Sequence, residues 1–275
     1  MAALHAQLDA ELQTIWARNS EVQRERLRRI RLAVDSLAAG GVSASEVLQS
    51  GVTAAHKLAG SLGAFGLGTA SRAAARIEHL LPKAGVADVP RLNRLIAQVG
   101  ADLDRGPRPV STTSEFEQTV SAIAASERVD LVVVDDDPVF AEAIAAWSVA
   151  FGYTTRCFLN GASALAALES IRPAAVLLDV DMPDLNGFDV LRELQTTGLA
   201  SSINVVMLTG RSTSPDVLRA LEYDIRGYVS KPVNMADLFA RLRAMLERNT
   251  DLFIVGPAVP ASGNDLLRPW RGPQS

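Results

Sequence analysis

Apolar residues in the first part of the chain recur at helical spacing. Leu4, Leu8, Leu12, Ile15 and Trp16 are followed by Val22, Leu27, Ile30, Val34 and Leu37, a stripe that predicts a buried helix face. Gly40-Gly41 ends it. Ser43-Ala-Ser-Glu46 has the spacing of a capping box, in which a hydroxyl and a carboxylate satisfy the free amides of a helix start. The helix it opens runs through Val47, His56 and Leu62 and loosens at Gly63, Gly66 and Gly68. A third helix covers Ala70–Leu81 and ends at Pro82, and another spans about Val89–Leu103. Four or five helices with short connections and no strand pattern predict an all-α antiparallel bundle over residues 1–105.

Residues 106–127, with Gly-Pro-Arg-Pro109 and Ser111-Thr-Thr-Ser114, predict a linker carrying a short helix over Glu115–Ala125. From there the pattern changes. Short apolar, β-branched runs at Leu131–Val134, Tyr153–Phe158, Ala174–Leu178, Ile203–Leu208 and Ile225–Val229 alternate with helical stretches. Five such βα units over residues 128–249 predict an α/β domain with a doubly wound, five-stranded parallel sheet of the flavodoxin-like kind. Residues 250–275, with four prolines, predict a flexible tail.

Charge sharpens this division. The net charge of −4 splits into +4 over residues 1–110 and −8 over the remainder, so a basic bundle and an acidic sheet domain can attract each other or each other's homologues. So mild a balance argues against nucleic acid as a partner. The single cysteine, Cys157, excludes an internal disulfide. No stretch approaches the ~18–20 apolar residues of a membrane span, and Met1–Asp9 lacks the basic start and apolar core of a signal peptide. The expected location is cytoplasmic.

In a doubly wound sheet, ligands sit beyond the carboxyl ends of the strands. Asp135 and Asp136 end the first strand there, Asp179 the third and Thr209 the fourth, and Lys231 follows the fifth. Carboxylates that close repel one another unless a cation lies between them, and oxygen donors in small number favour Mg²⁺. Asp179 could then attack phosphorus as a nucleophile, while the Thr209 hydroxyl and Lys231 ammonium stabilise phosphoryl oxygens.

The strings Val134-Asp-Asp-Asp-Pro138, Leu178-Asp-Val-Asp-Met-Pro-Asp-Leu-Asn-Gly187, Leu208-Thr-Gly210 and Tyr228-Val-Ser-Lys-Pro232 resemble a response-regulator receiver domain. The resemblance implies that Asp179 accepts a phosphoryl group. It implies that Asp135 and Asp136 serve Mg²⁺ with the backbone carbonyl of Asp181, and that Thr209 and Tyr228 shift on phosphorylation. Asp181 and Arg211, each two residues beyond a site residue, are expected to pair and to tune phosphate lifetime. The face around Ala220, Tyr228 and Leu238 is the expected contact surface, and a homodimer through it stays open.

His56 lies in Ala55-His-Lys-Leu-Ala-Gly-Ser61, before Phe65-Gly-Leu67 and an alanine-rich helix. The small residues around it, Ala59 and Gly60 among them, would let a partner approach, and Lys57 would welcome a phosphate. This string resembles histidine-containing phosphotransfer (Hpt) domains, in which a histidine carries the phosphoryl group. The lysine common three residues after that histidine is Ala59 here, and Lys57 is the expected substitute. No nucleotide-binding motif is present, so the chain is not expected to be an enzyme in its own right, such as a kinase. The expectation is a two-component phosphorelay protein that exchanges phosphate with sensor histidine kinases or other receiver and Hpt proteins. The alternatives are a docking or regulatory module for a separate output protein and an aspartate-nucleophile phosphohydrolase of the haloacid-dehalogenase kind, whose Asp-x-Asp spacing occurs at Asp179-Val-Asp181.

Overall fold

A computed structural model describes residues 2–39, 45–108, 129–210, 214–248 and 252–255. The capping box at Ser43, the linker helix over Glu115–Ala125, Arg211 and most of the tail lie outside the described residues. The chain divides into two compact units.

The first unit is helical. It contains α1 (Ala2–Ala38), α2 (Ser45–Ala64), α3 (Gly68–Leu80) and α4 (Val89–Arg105), with α5 (Pro138–Ala150) packed among them. The predicted stripe on α1 is mostly interior: Leu8, Leu12, Ile15, Trp16, Leu27, Ile30 and Val34 are buried. Val22 departs from it and is 42% exposed, while Gln23 and Arg26 take the inside positions. These polar side chains are satisfied there. Gln23 donates to the Ser61 hydroxyl at 3.1 Å. Arg26 makes a two-pronged pair with Asp137, with Nη1 and Nη2 at 2.9 and 2.7 Å from the two carboxylate oxygens. Asp137 also caps α5 by accepting from the Val139 amide, so one carboxylate fixes both a helix start and a guanidinium. The Trp147 indole donates to the Ala64 carbonyl at 3.0 Å.

The second unit is built on a parallel sheet: β1 (Leu131–Val134), β2 (Thr155–Phe158), β3 (Ala175–Asp179), β4 (Asn204–Thr209), β5 (Gly227–Ser230) and β6 (Phe253–Val255), in the order β2-β1-β3-β4-β5-β6. Helices α6 (Gly161–Leu168), α7 (Gly187–Thr196), α8 (Ser214–Leu221) and α9 (Met235–Arg248) alternate with the strands. β1, β3 and β5 are buried throughout, as continuous apolar runs predict for a covered parallel sheet.

Among the described residues the sheet has six strands rather than the predicted five. The additional strand lies within the residues read as a tail: Phe253–Val255 adds a parallel strand outside β5. The expected contact face also needs correction. Ala220, Tyr228 and Leu238 are each no more than 1% exposed, so they build the interior rather than a surface.

Candidate phosphoryl-transfer site

Strand order places the acidic site. β1 lies between β2 and β3, so the chain direction across the sheet reverses at the β1–β3 boundary, and a crevice opens beyond the strand ends at such a point. Val134 is in register with Leu178, so the next residues, Asp135 and Asp179, end neighbouring strands side by side. Carboxylate oxygens of Asp135, Asp136 and Asp179 come within 4.8 Å of one another. Asp135 and Asp179 are buried and Asp136 is half-buried.

Lys231 enters from two strands away. Its amide donates to the Thr209 carbonyl at 2.6 Å, and its side chain reaches past the end of β4. The ammonium donates to Asp135 Oδ2 at 2.7 Å and Asp179 Oδ1 at 2.8 Å. Burial disfavours the Lys231 charge, but attraction and hydrogen bonds from the two carboxylates outweigh burial and hold its pKa above the ordinary lysine value. Asp179 Oδ2 is buried without a hydrogen-bond partner among the described residues. Such an atom is costly unless something occupies the space in front of it.

Backbone packing fixes Asp179. It pairs in β3 with Leu208 of β4, and Gly187 at the start of α7 presses against it. A Cβ on Gly187 would stand 2.4 Å from the Asp179 carbonyl oxygen, so only glycine allows that approach. Thr209 is fully buried at the end of β4, and Tyr228 is buried in β5. Asp181 is half-buried, and its carboxylate is not among those that converge. The Asp-x-Asp expectation therefore lacks its second carboxylate at the site.

The histidine site lies in the helical unit. His56 is on α2, with only 14% of its side chain exposed. Its Nδ1 lies 3.0 Å from Glu78 Oε1 on α3. Ala59 and Gly60 are buried, so they pack the helix against its neighbours and do not form the open surface expected of them. Lys57 is half-buried and lines a groove of about 690 Å³ between α1 and α2, together with Arg26 and Arg29. Glu78 was invisible to local sequence reasoning, because its partner lies 22 residues earlier on another helix.

Comparison with known proteins gives both sites a family. Residues 131–243 match the response regulator receiver domain and residues 5–106 match the Hpt domain. The chain therefore carries an Hpt domain followed by a response regulator receiver domain. It is 40% identical over 121 residues to the DNA-binding response regulator MtrA of Mycolicibacterium smegmatis, covering 44% of this chain and 52% of that protein. It is 35% identical over 139 residues to the response regulator MprA of Mycolicibacterium vanbaalenii, covering 50% and 59%. The chain thus spans little more than half the length of these relatives. Among solved structures, the Thermotoga maritima response regulator DrrB aligns with 30% identity and a TM-score of 0.41 over 45% of this chain and 55% of that one. No helix among the described residues is long and apolar enough to cross a membrane.

Proposed function

We propose that the protein carries phosphoryl groups on nitrogen of His56 and on oxygen of Asp179, and exchanges them with sensor histidine kinases or other Hpt and receiver proteins. The observation that carries this reading is the Asp179 carboxylate. One oxygen is held by Lys231 and the other is buried without a hydrogen-bond partner among the described residues, which is the arrangement a phosphoryl acceptor needs.

At Asp179, the carboxylate attacks the phosphorus of a phosphohistidine. An O–P bond forms, the N–P bond breaks, and the imidazole leaves with the electron pair. This reading assigns phosphoryl oxygens to the Lys231 ammonium, already at the carboxylate, and to the hydroxyl of Thr209, which ends the neighbouring strand. Asp135 and Asp136, with Asp179 and the Asp181 backbone carbonyl, fit a hard divalent cation such as Mg²⁺: the donors are all oxygens, and the three carboxylates converge. When bound, the cation offsets charge on the carboxylates and the phosphoryl group. At His56, Glu78 accepts a hydrogen bond from Nδ1–H, which favours the tautomer whose Nε2 is the nucleophile toward phosphorus. Positioning and charge supply the catalysis, as in other phosphoryl transfers.

The test is transfer from a labelled phosphodonor to wild type, His56→Gln and Asp179→Asn. The reading predicts acid-labile label on His56 and base-labile label on Asp179, each lost in its own variant. Wild-type chains that take no label on either residue from several histidine kinases and from acetyl phosphate would overturn it.

A further inference from the structure

Strand β6 stands apart from the phosphoryl-transfer chemistry, and its role at the sheet edge is independent of that function. Without β6, β5 would be the outermost strand of the sheet, with a row of unpaired backbone groups open to another chain. β6 covers that row through the pairs Gly227↔Phe253, Tyr228↔Ile254 and Val229↔Val255, and the Phe253 amide donates to the Arg226 carbonyl at 3.2 Å.

Side chains from both strands add to the pairing. A Cβ on Gly227 would stand 2.6 Å from the Phe253 ring, and the nearest atoms it would meet all belong to that ring. The absent side chain at Gly227 is thus a notch shaped by the phenyl group. On the opposite face, Leu252 and Ile254 pack against the apolar core that contains Tyr228, Ile225 and Ala220. Yet the strand has only three residues, all half-buried. So short a strand gains little from its own burial and can leave while the rest of the core stays closed.

We propose that Phe253–Val255 is a releasable cap on the β5 edge, which in its seated position keeps a second copy of this chain from pairing there strand to strand. The occupant of the edge is the chain's own segment. Self-association is the state that the cap holds off.

Two full-length variants test this. Gly227→Val drives the Phe253 ring out and gives β5 a better strand former. Phe253→Gly/Ile254→Gly weakens the cap and leaves β5 untouched, so the test survives if the first variant fails to fold. Hydrogen exchange and light scattering across a concentration series are read together. Expected are protected amides at 253–255 and a monomer mass for wild type. For the variants, exchange at 253–255 is fast, and the mass shifts to a dimer as β5 amides become protected with rising concentration. A released segment with a monomer mass at every concentration would overturn the proposal. So would unchanged protection at 253–255 in the double-glycine variant, or a wild-type dimer with the segment in place.

Discussion

Glu78 Oε1 lies 3.0 Å from Nδ1 of His56 and ties α3 to α2 at the residue proposed to carry phosphate. A carboxylate there fixes the ring's orientation and the position of its proton. Glu78→Ala is expected to slow phosphoryl transfer at His56 by about 10–100-fold, the kinetic equivalent of one charge-assisted hydrogen bond of about 1.5–3 kcal/mol. Single-turnover transfer from a labelled receiver measures it, with helix content by circular dichroism as the control. A rate equal to wild type would remove Glu78 from the mechanism.

The Lys231 ammonium bridges Asp135 and Asp179. Lys231→Ala takes that counter-charge away from two buried carboxylates, which is expected to cost about 3–5 kcal/mol. Divalent cation should restore much of that loss. The Tm of the variant is therefore expected to rise more on adding Mg²⁺ than that of wild type, and to fall back with a chelator. Equal Mg²⁺ responses would argue against a cation among these aspartates.

The Arg26–Asp137 pair is nearly dry, with side-chain exposures of 10% and 5%. Arg26→Met removes the guanidinium that balances the Asp137 carboxylate and is expected to cost about 3–5 kcal/mol. Arg26→Met/Asp137→Asn should recover part of this, because an amide oxygen can still cap α5 and the buried negative charge is gone. Denaturant unfolding of the two variants gives the comparison, and equal stabilities would show that the charge is not what matters.

Tyr153 stacks on Phe239 with ring centroids 6.4 Å apart. Burial first, then the nearby Glu247 carboxylate, pushes its phenol up to about 12. Because the folded state favours the neutral phenol, its contribution to stability is complete below the unfolded value of about 10. It is lost as pH rises from there through about 12. Tyr153→Phe cannot ionise, so its Tm should fall less steeply over that interval. Parallel profiles for the two proteins would contradict this.

Much of the sheet and its acidic crevice could be read directly from the sequence. Leu131–Val134 is a strand with the predicted bounds, since four buried apolar residues meet a run of aspartates that cannot continue inward. Long-range partners account for the rest. Periodicity places Val22 inside and cannot show that Gln23 and Arg26 will find Ser61 and Asp137. A βα alternation predicts α5 but not its packing in the helical unit. Phe253-Ile-Val255 is too short to stand out before a proline-rich stretch, and only the open edge of β5 makes it a strand. For the same reason Glu78 and the half-buried setting of His56 emerge only once α2 and α3 lie side by side.

Gly187 and the two strands flanking β3 leave the Asp179 backbone almost no room to move. The acceptor proposed at Asp179 is held by that packing, so on this reading the donor's phosphorus has to arrive along a line set by the sheet. Discrimination between partners then belongs to the rim that guides them in. Changes to that rim can redirect traffic while the chemistry at the carboxylate stays as it is.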